Sequence, residues 1–91
     1  MKRIAIIGSC DTKHREVAYM RDLIEAEGIE VLVIDVATGP SPSYGYNVSR
    51  EEVVEAAGTK WSELEPKSKG EKIAFMMEAA ADYVEKIYRE G

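Results

Sequence analysis

Ninety-one residues carrying a net charge of −5 make one small domain rather than two. The acidic balance argues against nucleic acid as the main partner, because phosphate backbones select basic faces. One cysteine and one histidine allow neither an internal disulfide nor a zinc site built from thiolates. No apolar run approaches the ~20 residues of a membrane span. The basic start Met1-Lys2-Arg3 is followed by too short an apolar segment for a signal peptide, so the chain reads as cytoplasmic with no membrane partner.

The stretch Arg3 to Ile7 is a short, β-branched, nearly unbroken apolar run, the pattern of a parallel strand buried on both faces. Gly8 ends it and a polar loop, Ser9-Cys10-Asp11-Thr12-Lys13, follows. Asp11 or Thr12 is placed to N-cap a first helix, in which Val17, Met20, Leu23 and Ile24 recur at helical spacing and Gly28 supplies the stop. Glu30 to Val36 is a second strand of the same type. Two such runs separated by one amphipathic helix make a βαβ unit, with parallel pairing and a right-handed crossover.

Ala37 to Asn47, rich in proline, glycine and serine, reads as a long loop, with a short edge strand around Tyr44-Gly45-Tyr46 as an option. Ser49 and Glu52 form a capping box, with Val48 and Val53 as its hydrophobic staple, opening a helix that stops near Gly58. Lys60 to Leu64 adds a helical turn that buries Trp61 and Leu64 and is closed by Pro66. A second capping box, Ser68 with Glu71, opens a last helix running to about Arg89. Its stripe Ile73, Met76, Met77, Ala80, Val84, Ile87 and Tyr88 reads as core. The expected fold is thus α/β: a Rossmann-like β-α-β unit followed by helices, one domain over 1–91, with parallel strands and a truncated sheet.

The loop from Gly8 to Lys13 is neither a P-loop, which needs glycine directly before the lysine, nor G-x-G-x-x-G. It is still a loop that leads from a strand into a helix N-terminus, where backbone N–H groups and a lysine favour anions. Thr12 and Lys13 support that reading and the Asp11 carboxylate opposes it; the alternative is an ordinary turn with Lys13 solvated. Cys10 lies near the same helix start, where a thiol pKa tends to fall, and His14 is the only base at hand. A small half-buried cysteine is the plainer reading, so no catalytic residue and no metal ligand is assigned. Asp35 ends the second strand, where an acid in dinucleotide folds accepts bonds from ribose hydroxyls; otherwise it is simply an acid at a strand end.

The order Ile7-Gly8-x-x-Asp11-Thr12-Lys13, Arg21-Asp22-Leu23-Ile24, Gly28-x-Glu30 to Val36, Ser49 to Val53, Ala56-Ala57-Gly58 and Gly70-Glu71 with Met76 resembles the start of the Tm-one-like ATP-binding family. That family is named after a plant protein that confers resistance to tomato mosaic virus. The resemblance implies a nucleotide-binding α/β fold whose ligand cleft includes Gly8, Asp11, Thr12 and Lys13. It also implies a longer chain that continues into another strand and a glycine-rich phosphate loop. Combined with the residues themselves, the expectation is a nucleotide module, with ATP and Mg2+ at the carboxyl ends of the strands. Gly8 and Ser9 would give backbone donors, Thr12 a hydroxyl and Lys13 a charge. Asp11 would orient Lys13 or magnesium, and Asp35 would meet the ribose. The runner-up is an association module, pairing with itself as a homo-oligomer or with a partner that carries the rest of the fold.

Overall fold

The computed structural model describes residues 3–90. The chain runs β1 (Arg3–Gly8), α1 (His14–Glu25), β2 (Glu30–Asp35), α2 (Arg50–Ala56), α3 (Trp61–Leu64) and α4 (Lys69–Glu90). β1 and β2 pair in parallel, in register from Arg3 opposite Glu30 to Gly8 opposite Asp35. The fold is therefore α/β around a two-stranded parallel sheet, a truncated Rossmann-like arrangement.

Strand alternation divides the core into two. On one face Ile6, Val31 and Val33 pack with Cys10, Val17 and Ile24 beneath α1. On the other, Ile34 packs with Val48, Val53, Val54, Leu64, Met76 and Ala79, with Leu32, Trp61 and Tyr83 at its margin. α1 and α4 thus cover opposite faces of one sheet. The α2 capping box forms, Ser49 Oγ accepting from the Glu52 amide at 3.1 Å. The second box is a variant: Ser68 Oγ accepts from the Glu71 amide at 3.2 Å and its hydroxyl donates to the Glu71 carboxylate at 3.0 Å. Gly28 takes φ +78° just past α1, the left-handed conformation in which a helix stop favours glycine.

Three expectations are corrected. The α1 N-cap is Lys13, which makes no side-chain cap bond. The Lys13 amide instead closes a backbone turn onto the Ser9 carbonyl at 2.8 Å, so the helix starts beyond Asp11 and Thr12. The loop's sheet pairing lies later than Tyr44 to Tyr46: Val48 bridges to Ile34 in parallel fashion, and Gly45 at φ +73° interrupts any strand before it. Finally, the α4 stripe is core only in part. Met76 and Ala80 are buried, whereas Ile73, Met77 and Tyr88 are exposed.

Gly8 has a packing reason. A Cβ there would lie 2.9 Å from Val17 Cγ2, closer than carbon atoms tolerate, so the missing side chain lets α1 sit directly on β1. Gly8→Ala is expected to destabilise the protein by ~1–3 kcal/mol, the usual cost of overpacking. Val17→Ala in the same chain should recover part of that loss, read as a coupling in urea unfolding of both single mutants and the double mutant.

Candidate functional site

The carboxyl ends of β1 and β2 carry the two loops that the sequence marks, and a buried carboxylate joins them. Asp35 is 1 % exposed. Its Oδ1 accepts from the Cys10 amide and from the Ala37 amide, each at 3.0 Å. One oxygen thus holds the loop after β1 against the loop after β2. The structure puts Asp35 to use as an internal acceptor, an occupation that an acid at a strand end does not announce.

Around this joint each loop is braced. The Tyr44 amide donates to the Cys10 carbonyl at 3.1 Å. Asp11 Oδ1 accepts from the Thr12 amide at 2.7 Å. His14 meets the Asp11 carbonyl at 3.3 Å through Nδ1 and lies edge-on to Tyr44 at 5.2 Å. On the far side, Arg50 Nη1 donates to the Gly39 carbonyl at 2.6 Å and to the Ala37 carbonyl at 3.3 Å, while its guanidinium lies 4.0 Å over the Trp61 ring. Stacking fixes the plane of that fork, so α2 and α3 together set the course of the second loop. Neither Arg50 nor Trp61 stands out in the sequence as a site residue, because their partners are main-chain carbonyls.

Between the loops and the first turns of α4 lies a cleft of about 370 Å³. Ser9, Asp11, Thr12, Thr38 and Gly39 form its polar side. Lys69, Ile73, Met76 and Met77 of α4, with Val36, complete it. Ser9, Asp11 and Thr12 are thus brought together as the sequence suggests. Gly8 lies in the ladder, its carbonyl accepting from the Val36 amide at 3.0 Å. Lys13 is exposed and does not line the cleft. The lysine that does is Lys69. It sits directly after the Ser68 cap, and a capped helix start bearing a lysine was the available signal. Among the described residues no group of three acidic, histidine or cysteine side chains is placed to hold a metal ion.

Cys10 departs from the expected direction. Its thiol is fully buried and its pKa is pushed up to about 11, first by burial and then by the charges of Asp35 and Asp11. α1 begins only at His14, too far for its N-terminus to compensate, since that influence is confined to the first turn.

A model of the N-terminal domain of the uncharacterised protein family UPF0261 matches residues 2–91. The chain belongs to the UPF0261 family. It is 33% identical over 90 residues to a UPF0261 protein of Clostridium tetani, covering 98% of this chain and 22% of that protein. A Rhizobium meliloti UPF0261 protein is 34% identical over 85 residues, covering 92% of this chain and 21% of its own length. A Brucella suis UPF0261 protein is 44% identical over 57 residues, 63% of this chain and 14% of that protein. The chain therefore spans about a fifth or less of the curated relatives it matches. No solved structure matches it. The UPF0261 match overturns the resemblance to the Tm-one-like ATP-binding family, and the roles carried over from that resemblance go with it. The motifs that suggested it run along the whole chain, but each is short, and those at the two strand ends, a glycine loop and an acid, are features open α/β sheets share.

Two outcomes are expected here. Asp35→Ala leaves the Cys10 and Ala37 amides without their acceptor and should cost roughly 1–3 kcal/mol for each. Asp35→Asn, which keeps an oxygen in place, should cost less in the same urea titration. For Cys10, the folded pKa near 11 lies above the ordinary 9.0. The folded chain thus holds the proton more tightly, and the stabilisation is complete below pH 9 and lost as the pH rises through 11. The stability difference between wild type and Cys10→Ala should therefore be flat below pH 9 and shift against the wild type above it.

Proposed function

We propose that this domain binds a small anionic ligand in the cleft between Thr12, Thr38 and Lys69, and that the ligand is a nucleotide. The observation that carries the reading is the two-sided lining of that cleft. One side is hydroxyl-bearing and includes Ser9, Thr12 and Thr38. The other is apolar, Val36 with Ile73, Met76 and Met77, and Lys69 stands with it as a cation. A nucleotide matches this division, with phosphate oxygens toward the hydroxyls and the ammonium group and a base against Ile73 and Met77, the exposed apolar side chains of the lining. The site lies outside the carboxyl ends of parallel strands, where ligands of open α/β sheets bind. Its volume, about 370 Å³, falls within the ~300–1,000 Å³ of small-molecule sites.

Met77 serves this reading better than a core role would. Met77 is 61 % exposed, and a flexible thioether adapts to a planar ligand surface. Asp11 faces the same space and suits a phosphate only with a cation between them; magnesium bound by one carboxylate and phosphate oxygens meets that need. Lys13 is exposed and outside the lining, though it directly follows Thr12 in the chain. Binding without turnover fits a Cys10 whose thiol stays protonated and a His14 engaged with Asp11 and Tyr44.

Calorimetric titration with ATP and magnesium tests the reading, with adenosine as the uncharged control. ATP should bind and adenosine bind far more weakly. A charge-assisted contact contributes ~1.5–3 kcal/mol, so Lys69→Ala should weaken ATP roughly tenfold or more with thermal unfolding unchanged. Lys13→Ala should have the smaller effect. Equal affinities for wild type and Lys69→Ala, or no saturable binding of ATP, would remove the nucleotide from this cleft.

A further inference from the structure

One edge of the sheet is unpartnered. β2 has β1 on one side and Val48 on the other, whereas among the described residues β1 has only β2. The direction of its free groups follows from the ladder. The Gly8 carbonyl accepts from the Val36 amide, so Gly8 faces β2, and by alternation so do Ile6 and Ile4. Ala5 and Ile7 therefore turn their N–H and C=O outward. The side chains of the same two residues point to the α4 face of the sheet, and there they are uncovered: Ile7 is 42 % exposed and Ala5 is exposed. No charge protects the edge from Ile4 to Ile7, although natural edge strands are commonly blunted by charge or proline. Beside it lies a groove of about 580 Å³, lined by Ala5, Leu32, Val84, Ile87 and Tyr88. Tyr88 is 85 % exposed.

We propose that this edge and groove form the docking surface for one further β-strand, parallel to β1, supplied by the sequence that follows this domain in its longer relatives. Three observations choose that occupant. The last turns of α4 flank the beginnings of β1 and β2, since Val84, Ile87 and Tyr88 share a groove with Arg3 and Glu30. A chain leaving α4 emerges where a strand parallel to β1 would start. The second is handedness. α1 covers one face in the step from β1 to β2. A step from β2 back past β1 reverses direction, and a right-handed crossover then requires its helix on the opposite face, which is where α4 lies. The third is length: the matched region is 22% of the Clostridium tetani relative and 21% of the Rhizobium meliloti one, which leaves ample sequence to provide the strand. The docked strand is apolar on its α4 side, to fill the groove against Leu32, Val84 and Ile87. With it in place the sheet order reverses at β1, and the cleft lined by Ser9 and Thr12 stands at that reversal.

The chain coexpressed with the polypeptide that follows the matched region in the Clostridium tetani relative decides the matter, or a fusion of the two where the second piece alone is insoluble. Amide exchange is followed by NMR. Ala5 and Ile7 should exchange freely in the isolated chain and become protected by about 100-fold in the complex. Ile7→Lys should leave the isolated chain's unfolding midpoint unchanged and abolish the protection. No protection of these two amides in the complex or the fusion overturns the proposal. So does a self-paired dimer of the isolated chain, β1 antiparallel to β1, that persists when the second piece is present.

Discussion

The candidate site depends on one buried carboxylate. Asp35 ends β2 and, through Oδ1, holds the amides of Cys10 and Ala37. A parallel strand pair sends its two exit loops in the same direction, and nothing in the ladder itself fixes them relative to each other. The shared acceptor does so. It costs the burial of an anion, and the two amide bonds offset that cost. The same charge acts on its neighbour, since together with burial it keeps the Cys10 thiol protonated. What could have been a reactive cysteine becomes a packing residue of the α1-side core.

From that joint outward, each loop is secured by a different element. The first turns back on itself through Lys13 and Ser9 before α1 begins. The second is gripped by Arg50, stacked on Trp61, at the Ala37 and Gly39 carbonyls. α4 then runs along the sheet and leaves apolar residues uncovered, Ile73 and Met77 at the cleft and Tyr88 at the groove. Its buried face, Met76 with Ala79 and Ala80, is what fastens it to the core.

Much of this architecture was legible in the residues. β-branched runs gave both strands, and capping boxes placed the starts of α2 and α4. The helix after the first loop was readable in type, but its first turn was not, because the cap is made by backbone bonds rather than by Asp11 or Thr12. The site was half legible. Ser9, Asp11 and Thr12 line the cleft as a strand-to-helix loop suggests. Lys69 and Met77 arrive from a helix more than fifty residues away in sequence, and only the tertiary fold brings them there. Periodicity assigned Met77 to the core, but the buried face of α4 is Met76, Ala79 and Ala80, and at about 100° per residue Met77 lies round the helix from Met76. The family resemblance misled because short motifs of an open α/β sheet recur wherever that sheet does.

The most direct test of the account is a backbone amide map of the isolated chain titrated with ATP and magnesium. Shifts centred on Ser9, Thr12, Thr38, Gly39 and Lys69, with the Cys10 and Ala37 amides still protected, are the predicted result. Shifts confined to other parts of the surface, or none at all, would contradict the claim that the Asp35 joint builds a ligand cleft.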